Sequence, residues 1–165
     1  MMLGKLFKKK EDSKHISLYA PINGETVPLE EVPDPVFSEE MMGNGIAIKP
    51  SDELVTAPVD GKVIQLFSTK HAVGILAENG AEILIHIGID TVELQGEGFT
   101  AYVEEGDHVK KGDKLVAFNY TTVETKAKST LIPIIITNTD EMSEISPIDK
   151  KSVRAGEDIV LSIEK

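Results

Sequence analysis

The 165-residue chain contains no cysteine, which rules out disulfides, thiolate metal sites and cysteine nucleophiles. It also lacks an apolar run long enough for a secretory signal or a membrane span, so a cytoplasmic setting is expected. Basic residues are in the minority: 17 Lys and Arg face 28 Asp and Glu, a net charge of −11 at pH 7. Four of the lysines (Lys5, Lys8, Lys9 and Lys10) lie in the first ten residues, which contain no acid, so the body of the chain is more acidic still. Such a body repels nucleic-acid phosphates and draws basic partners. No nucleic-acid partner is expected. Gly-x-x-x-x-Gly-Lys-Ser/Thr, Gly-x-Gly-x-x-Gly and Gly-x-Ser-x-Gly are all missing, which leaves nothing to support a nucleotide site or a nucleophile elbow. His-x-His and His-Glu-x-x-His are missing too, whereas a hydrolytic zinc site usually takes three protein ligands.

What remains is enough for one domain with one core, 41% of the residues being apolar. Residues 1–15 read as a flexible basic tail and residues 16–165 as the domain. Within the tail, Met2, Leu3, Leu6 and Phe7 would share one face of a short helix, opposite the lysines. A solubilising tail is the simpler reading, because so short a helix is marginal in water; weak contact with a membrane surface is the alternative.

From Ile16 onward, short apolar runs alternate with turn residues. The runs are 46–48, 62–67, 74–77, 83–87, 114–118, 131–137 and 159–163, broken by Pro58, Asp60-Gly61, Gly96, Gly98, Gly106, Gly112 and Gly156. Asn79-Gly80 between two such runs signals a two-residue hairpin. Helical periodicity is confined to a turn or two over 39–42 and 122–127. The pattern predicts an all-β fold, an antiparallel β-sandwich or barrel. Residues 103–116 and 153–160 echo one another, each placing a Gly-Asp or Gly-Glu turn before a β run. With Ala57-Pro-Val-Asp-Gly-Lys-Val63 they share the cadence of biotinyl and lipoyl carrier domains, and the double length predicts a duplicated barrel-sandwich hybrid. Lys126 and Lys128 lack the Met-Lys-Met context of a biotin or lipoyl acceptor.

Among the four histidines, His15 in the tail and His108 in a glycine-bounded turn read as solvated surface. His71 and His86 flank the Asn79-Gly80 turn, so adjacent antiparallel strands would bring them together across the ladder. Alternation then puts Ile83, Ile85 and Ile87 on one face, and Glu82, Leu84 and His86 on the other. Taken alone, the pair reads more simply as two half-buried, hydrogen-bonded histidines than as a reactive site.

The segment Leu84-Ile-His-Ile-Gly-Ile-Asp-Thr-Val-Glu-Leu-Gln-Gly-Glu-Gly-Phe99 resembles the active-site segment of glucose-type enzyme IIA, a phosphocarrier of the bacterial sugar phosphotransferase system. Thr69-Lys-His71, Val32-Pro-Asp-Pro-Val-Phe-Ser38, 43–50, 57–61 and 126–131 match further family segments in order. The resemblance covers roughly 17–165. It implies an antiparallel β-sandwich whose His86 takes a phosphoryl group on Nε2 from the phosphohistidine of the carrier HPr. His86 then passes that group to a cysteine on the IIB domain of a glucose-family permease. It further implies that the Gly88 carbonyl holds Nδ1 of His86, that His71 stabilises the phosphoryl group, and that Thr69 orients His71. An apolar docking face at Pro35, Val36, Phe37, Met41, Met42, Ile46, Phe67, Leu84 and Val92 is implied, with Asp34 and Asp90 meeting basic residues of HPr. The sequence departs from some relatives after His71, where Ala72-Val-Gly74 replaces an aromatic. No cofactor and no metal are required, although His71 and His86 are possible adventitious zinc ligands. Regulatory binding to permeases or metabolic enzymes in the unphosphorylated state is a further implied role.

Overall fold

The structure, a computed structural model, describes residues 14–149 and 152–165. The amphipathic reading of Met2, Leu3, Leu6 and Phe7 lies outside the described residues. The strands are β1 (His15–Tyr19), β2 (Gly24–Val27), β3 (Asn44–Pro50), β4 (Leu54–Thr56), β5 (Gly61–Leu66), β6 (Ala72–Ala77) and β7 (Glu82–His86). They continue with β8 (Phe99–Ala101), β9 (His108–Val109), β10 (Lys114–Phe118), β11 (Ile132–Ile136), β12 (Glu144–Pro147), β13 (Ser152–Val153) and β14 (Ile159–Glu164). Among the described residues, two short helices, α1 (Pro35–Ser38) and α2 (Tyr120–Lys126), and three 3-10 turns complete the elements.

The strands form one eight-stranded sheet, ordered β13-β2-β3-β11-β7-β6-β5-β9, and two three-stranded sheets, β1-β14-β12 and β4-β10-β8. This topology is symmetric about the β11–β7 seam. Exchanging β1 with β4, β2 with β5, β3 with β6, β11 with β7, β12 with β8, β13 with β9 and β14 with β10 maps every sheet order onto itself or its twin. The two echoed sequence segments are β9–β10 and β13–β14, the same corner of each unit. The expected duplication is therefore real, with the β4–β10 unit inserted between β3 and β11 of the other.

Strand alternation supplies the two faces of the large sheet. Ile46, Ile48, Val73, Ile75, Ile83, Ile85, Ile134 and Ile136 pack inward with Leu18, Val55, Leu115, Val116, Val160 and Leu161 from the small sheets. This is the sandwich core. On the opposite face, Ala47, Ala72, Leu84 and Ile135 meet Leu29, Val32 and Phe37 in a smaller cluster. Ile135 and its neighbours are buried on both sides of the sheet, which accounts for the three consecutive isoleucines, 134–136, of β11.

Three local expectations are corrected. The β6–β7 connection is a three-residue loop, Glu78–Gly80, closed by the Ala77 N–H to the Ala81 carbonyl at 2.9 Å. Gly80 takes φ +92 there, the left-handed third position that such a loop needs. The helical turn expected over 39–42 lies at α1 instead: Asp34 caps it by accepting from Val36 N–H at 3.0 Å, with Pro35 at its first position. His15 opens β1 opposite Glu164 rather than ending a tail, and it remains exposed as expected.

Candidate functional site

Strands β6 and β7 pair in a register that sets Ala72 against His86, and the Ile87 N–H extends the pairing to the His71 carbonyl at 2.7 Å. Consecutive positions on opposite strands thus carry the two imidazoles, whose ring centroids lie 4.9 Å apart, edge to face. On its other side β7 pairs with β11 over Ile134–Ile136 only, stopping short of Pro133, which has no N–H to give. The His86 end of β7 is consequently free of that neighbour.

Nδ1 of His86 lies 2.7 Å from the Gly88 carbonyl. A carbonyl only accepts, so Nδ1 carries the proton and, in the neutral ring, Nε2 is bare. Burial pushes the pKa of His86 below 6.5, against the opposing pull of the Gly88 carbonyl, Asp34 and Asp90. His71 is buried, and its Nδ1 shares a 2.6 Å hydrogen bond with the Thr69 hydroxyl. Its pKa is lowered to about 4, first by burial and then by the neighbouring His86. Both rings are therefore neutral at pH 7.

The carbonyl that holds His86 sits in a tightly fixed loop. Gly88 takes φ +77, and a Cβ there would lie 2.6 Å from Thr91 Cγ2 and 3.1 Å from the Ser129 carbonyl. Only glycine fits on both counts. The next residue, Ile89, bridges to the segment before β11. Its N–H donates to the Ser129 carbonyl at 3.0 Å, and its carbonyl accepts from Lys128 N–H at 3.1 Å. Sequence reading placed no role on Lys128 or Ser129. The only signal was that residues 126–131 form a recognisable segment, and backbone bridges leave no side-chain signature.

Around the rings stands an apolar collar. Phe37 packs 5.0 Å from His86 and Phe67 5.3 Å from His71, centroid to centroid. Phe37 and Leu84 are buried in the smaller cluster, against which Met42 and Phe67 pack. Pro35 and Met41 are exposed, Val36 is half-exposed, and Val92 is exposed on the 3-10 turn (Thr91–Leu94) that follows the His86 loop. Ile46 is not brought to this face. It points into the sandwich core, 3% exposed, because Ala47 takes the outward position on β3. After His71, Ala72 and Gly74 occupy the outward positions and Val73 the core, so this part of the face is low in relief.

Asp34 is half-buried, its carboxylate engaged in capping α1, whereas Asp90 is exposed at φ +62 and makes no side-chain cap bond to its turn. Among the described residues, no group of three or more His, Asp or Glu side chains is placed to hold a metal. No helix among the described residues is long and apolar enough to cross a membrane.

Residues 16–142 match the model of a family described as phosphoenolpyruvate-dependent sugar phosphotransferase system, EIIA 1. The chain is 56% identical over 163 residues to the PTS system glucose-specific EIIA component of Oceanobacillus iheyensis, covering 98% of this chain and 99% of that protein. Identity to the protein of the same description from Staphylococcus aureus is 49%, covering 98% of each. A solved structure, glucose permease IIA from Mycoplasma capricolum, superposes with a TM-score of 0.85 at 41% identity, covering 90% of this chain and 96% of that one. It shares the antiparallel β-sandwich. The chain belongs to the EIIA 1 family of the phosphoenolpyruvate-dependent sugar phosphotransferase system.

Proposed function

We propose that the chain is a phosphohistidine carrier serving glucose-family permeases, with Nε2 of His86 as its acceptor atom. The observation that carries this reading is the 2.7 Å bond from His86 Nδ1 to the Gly88 carbonyl, which leaves Nε2 as the one unprotonated ring nitrogen. In the first step a new bond forms from His86 Nε2 to phosphorus as the donor phosphohistidine of HPr loses its N–P bond. In the second, a cysteine thiolate of the IIB domain takes the phosphoryl group and His86 returns to the neutral ring. No ATP and no metal enter either step.

The transition state of phosphoryl transfer is loose, so positioning and charge stabilisation are what a protein can contribute. Nε2 is already bare and the ring neutral, so acceptance needs no prior proton transfer. If the Thr69 hydroxyl donates to Nδ1 of His71, the proton of that ring is on Nε2, where it serves the oxygens of a phosphoryl group on His86. Phe37, Phe67 and Met42, with the exposed Pro35, Met41 and Val92, form the docking collar. Asp34 and Asp90 attract a basic partner; they also disfavour a dianionic group, so the carrier holds it loosely enough to pass it on.

The experiment is incubation with phosphoenolpyruvate, enzyme I and HPr. An acid-labile, base-stable phosphate is expected on the wild-type protein and none on His86→Gln. Labelling of that variant at the wild-type rate would overturn the assignment.

A further inference from the structure

We propose that Thr91 is a positioning residue that keeps the proton of His86 on Nδ1, acting through the backbone of the loop between them. The inference rests on the carrier reading above for its catalytic consequence, and on geometry alone for its structural one.

Thr91 is fully buried. Its hydroxyl donates at 2.6 Å to the carbonyl of Ile87, and the N–H of the same residue donates to the His71 carbonyl at 2.7 Å. The hydroxyl therefore holds the one loop residue, Ile87, whose N–H ties the loop to the backbone of the other histidine. The Thr91 methyl does a second job, closing the space that a Cβ on Gly88 would occupy. Hydroxyl and methyl together bracket Gly88 from the Ile87 side. From the other side, the Gly88–Ile89 peptide is held by its N–H on the Ser129 carbonyl.

That bracket is needed because the loop does not hold its own shape. Gly88 and Asp90 both lie in the left-handed region, at φ +77 and +62, and Asp90 makes no side-chain capping bond that would lock the turn. Glycine takes that region freely, so nothing intrinsic to Gly88 fixes its carbonyl, and Asp90 persists there only where its surroundings over-determine it. Around the Gly88 peptide the Ser129 contribution comes from backbone, Val123 offers a methyl and the His86 ring is the group being held; Thr91 adds a side-chain hydrogen-bond donor beside its methyl. Its hydroxyl is also spent backwards, on the loop, rather than on the helical turn it begins.

The consequence follows from the chemistry of imidazole. A neutral ring has one proton. While the Gly88 carbonyl faces Nδ1, that proton stays there and Nε2 is a nucleophile. If the carbonyl turns away, Nε2–H becomes populated, and that tautomer cannot attack phosphorus.

The test uses the full chain in three variants, with ¹⁵N NMR of the imidazoles and the rate of phosphate uptake from phospho-HPr. Wild type should show Nδ1 of His86 protonated and Nε2 bare at pH 7. Thr91→Val keeps the methyl and removes the donor. Its two His86 nitrogen shifts should move toward each other, and maximal uptake should fall about tenfold at unchanged KM, the scale seen when an outer partner of a functional imidazole is lost. Thr91→Ser keeps the donor and should restore the tautomer and most of the rate. If Thr91→Val does not fold, Thr91→Ala carries the same expectation. A folded donor-less variant with wild-type shifts and rate, or a serine variant with scrambled shifts, would overturn the proposal. A wild-type protein that takes no phosphate would instead sink the carrier reading, and the NMR comparison would still decide the role of Thr91.

Discussion

Replacing Gly88 with alanine tests in one change why this residue must be glycine. The backbone at φ +77 costs a Cβ-bearing residue about 1–2 kcal/mol. The added methyl also meets Thr91 Cγ2 at 2.6 Å, with Val123 Cγ1 and the Ser129 carbonyl both at 3.1 Å. Thr91 cannot swing aside without breaking its hydroxyl bond to Ile87, and the Ser129 carbonyl is held by Ile89. Relief has to come from the loop itself, at an overpacking cost of about 1–3 kcal/mol. The sum is a loss of about 2–5 kcal/mol in urea unfolding, within the stability of an ordinary domain. Gly106→Ala is the control. Its φ of +96 is equally left-handed, yet nothing lies within 4 Å of the added methyl, so the backbone cost stands alone at about 1–2 kcal/mol. The urea midpoints should separate the two variants at unchanged slope. Equal midpoints would show that the packing around Gly88 yields freely and that the loop is not fixed as described.

Four further outcomes are expected. Stability should be level above pH 6.5 and fall toward pH 4, since the unfolded chain binds a proton on His71 at about 6.5 and the folded one only near 4. The loss from this residue is about 3 kcal/mol, and His71→Gln should flatten that part of the profile. His71→Gln should still take phosphate from phospho-HPr but pass it to a permease about a hundred- to a thousandfold more slowly, the usual loss for one preorganised donor; a variant never labelled, or one donating at the wild-type rate, would refute that division of roles. Val92→Asp on the exposed collar should raise KM for HPr while leaving stability within about 0.5 kcal/mol; Phe37→Ala, by contrast, should cost about 3–5 kcal/mol, because that ring is core as well as collar. Transfer at low HPr should slow as salt rises from about 0.05 to 0.5 M, and a flat profile would reduce Asp34 and Asp90 to solubilising groups.

Local rules carried the sequence reading where the physics is local. Lys114–Phe118 is a strand at its expected bounds, and the alternation through Ile83, Leu84 and Ile85 sorted side chains to the two faces they occupy. The approach of His71 to His86 followed from a hairpin with one glycine-bearing turn. Errors arose where the outcome depends on distant chain. Ile46 lies inward because β3 takes its register from β11, some ninety residues away, and no pattern within 43–50 sets that parity. Leu84 is covered by Leu29, Val32 and Phe37, so an outward strand position became a second core. The Ile89–Ser129 bridge joins backbone to backbone across forty residues and has no composition to read. The α1 boundary is different: Asp34-Pro35 is a legible cap-and-first-turn pair, whereas the helical periodicity lies a few residues beyond it.

The central claim is that a phosphoryl group is carried on Nε2 of His86. The direct measurement is ³¹P and ¹⁵N NMR of the imidazole-labelled protein after phosphorylation by phosphoenolpyruvate, enzyme I and HPr. The account predicts one-bond phosphorus coupling to Nε2 of His86, with Nδ1 still protonated and bonded to the Gly88 carbonyl. Coupling to Nδ1, or to either nitrogen of His71, would contradict it.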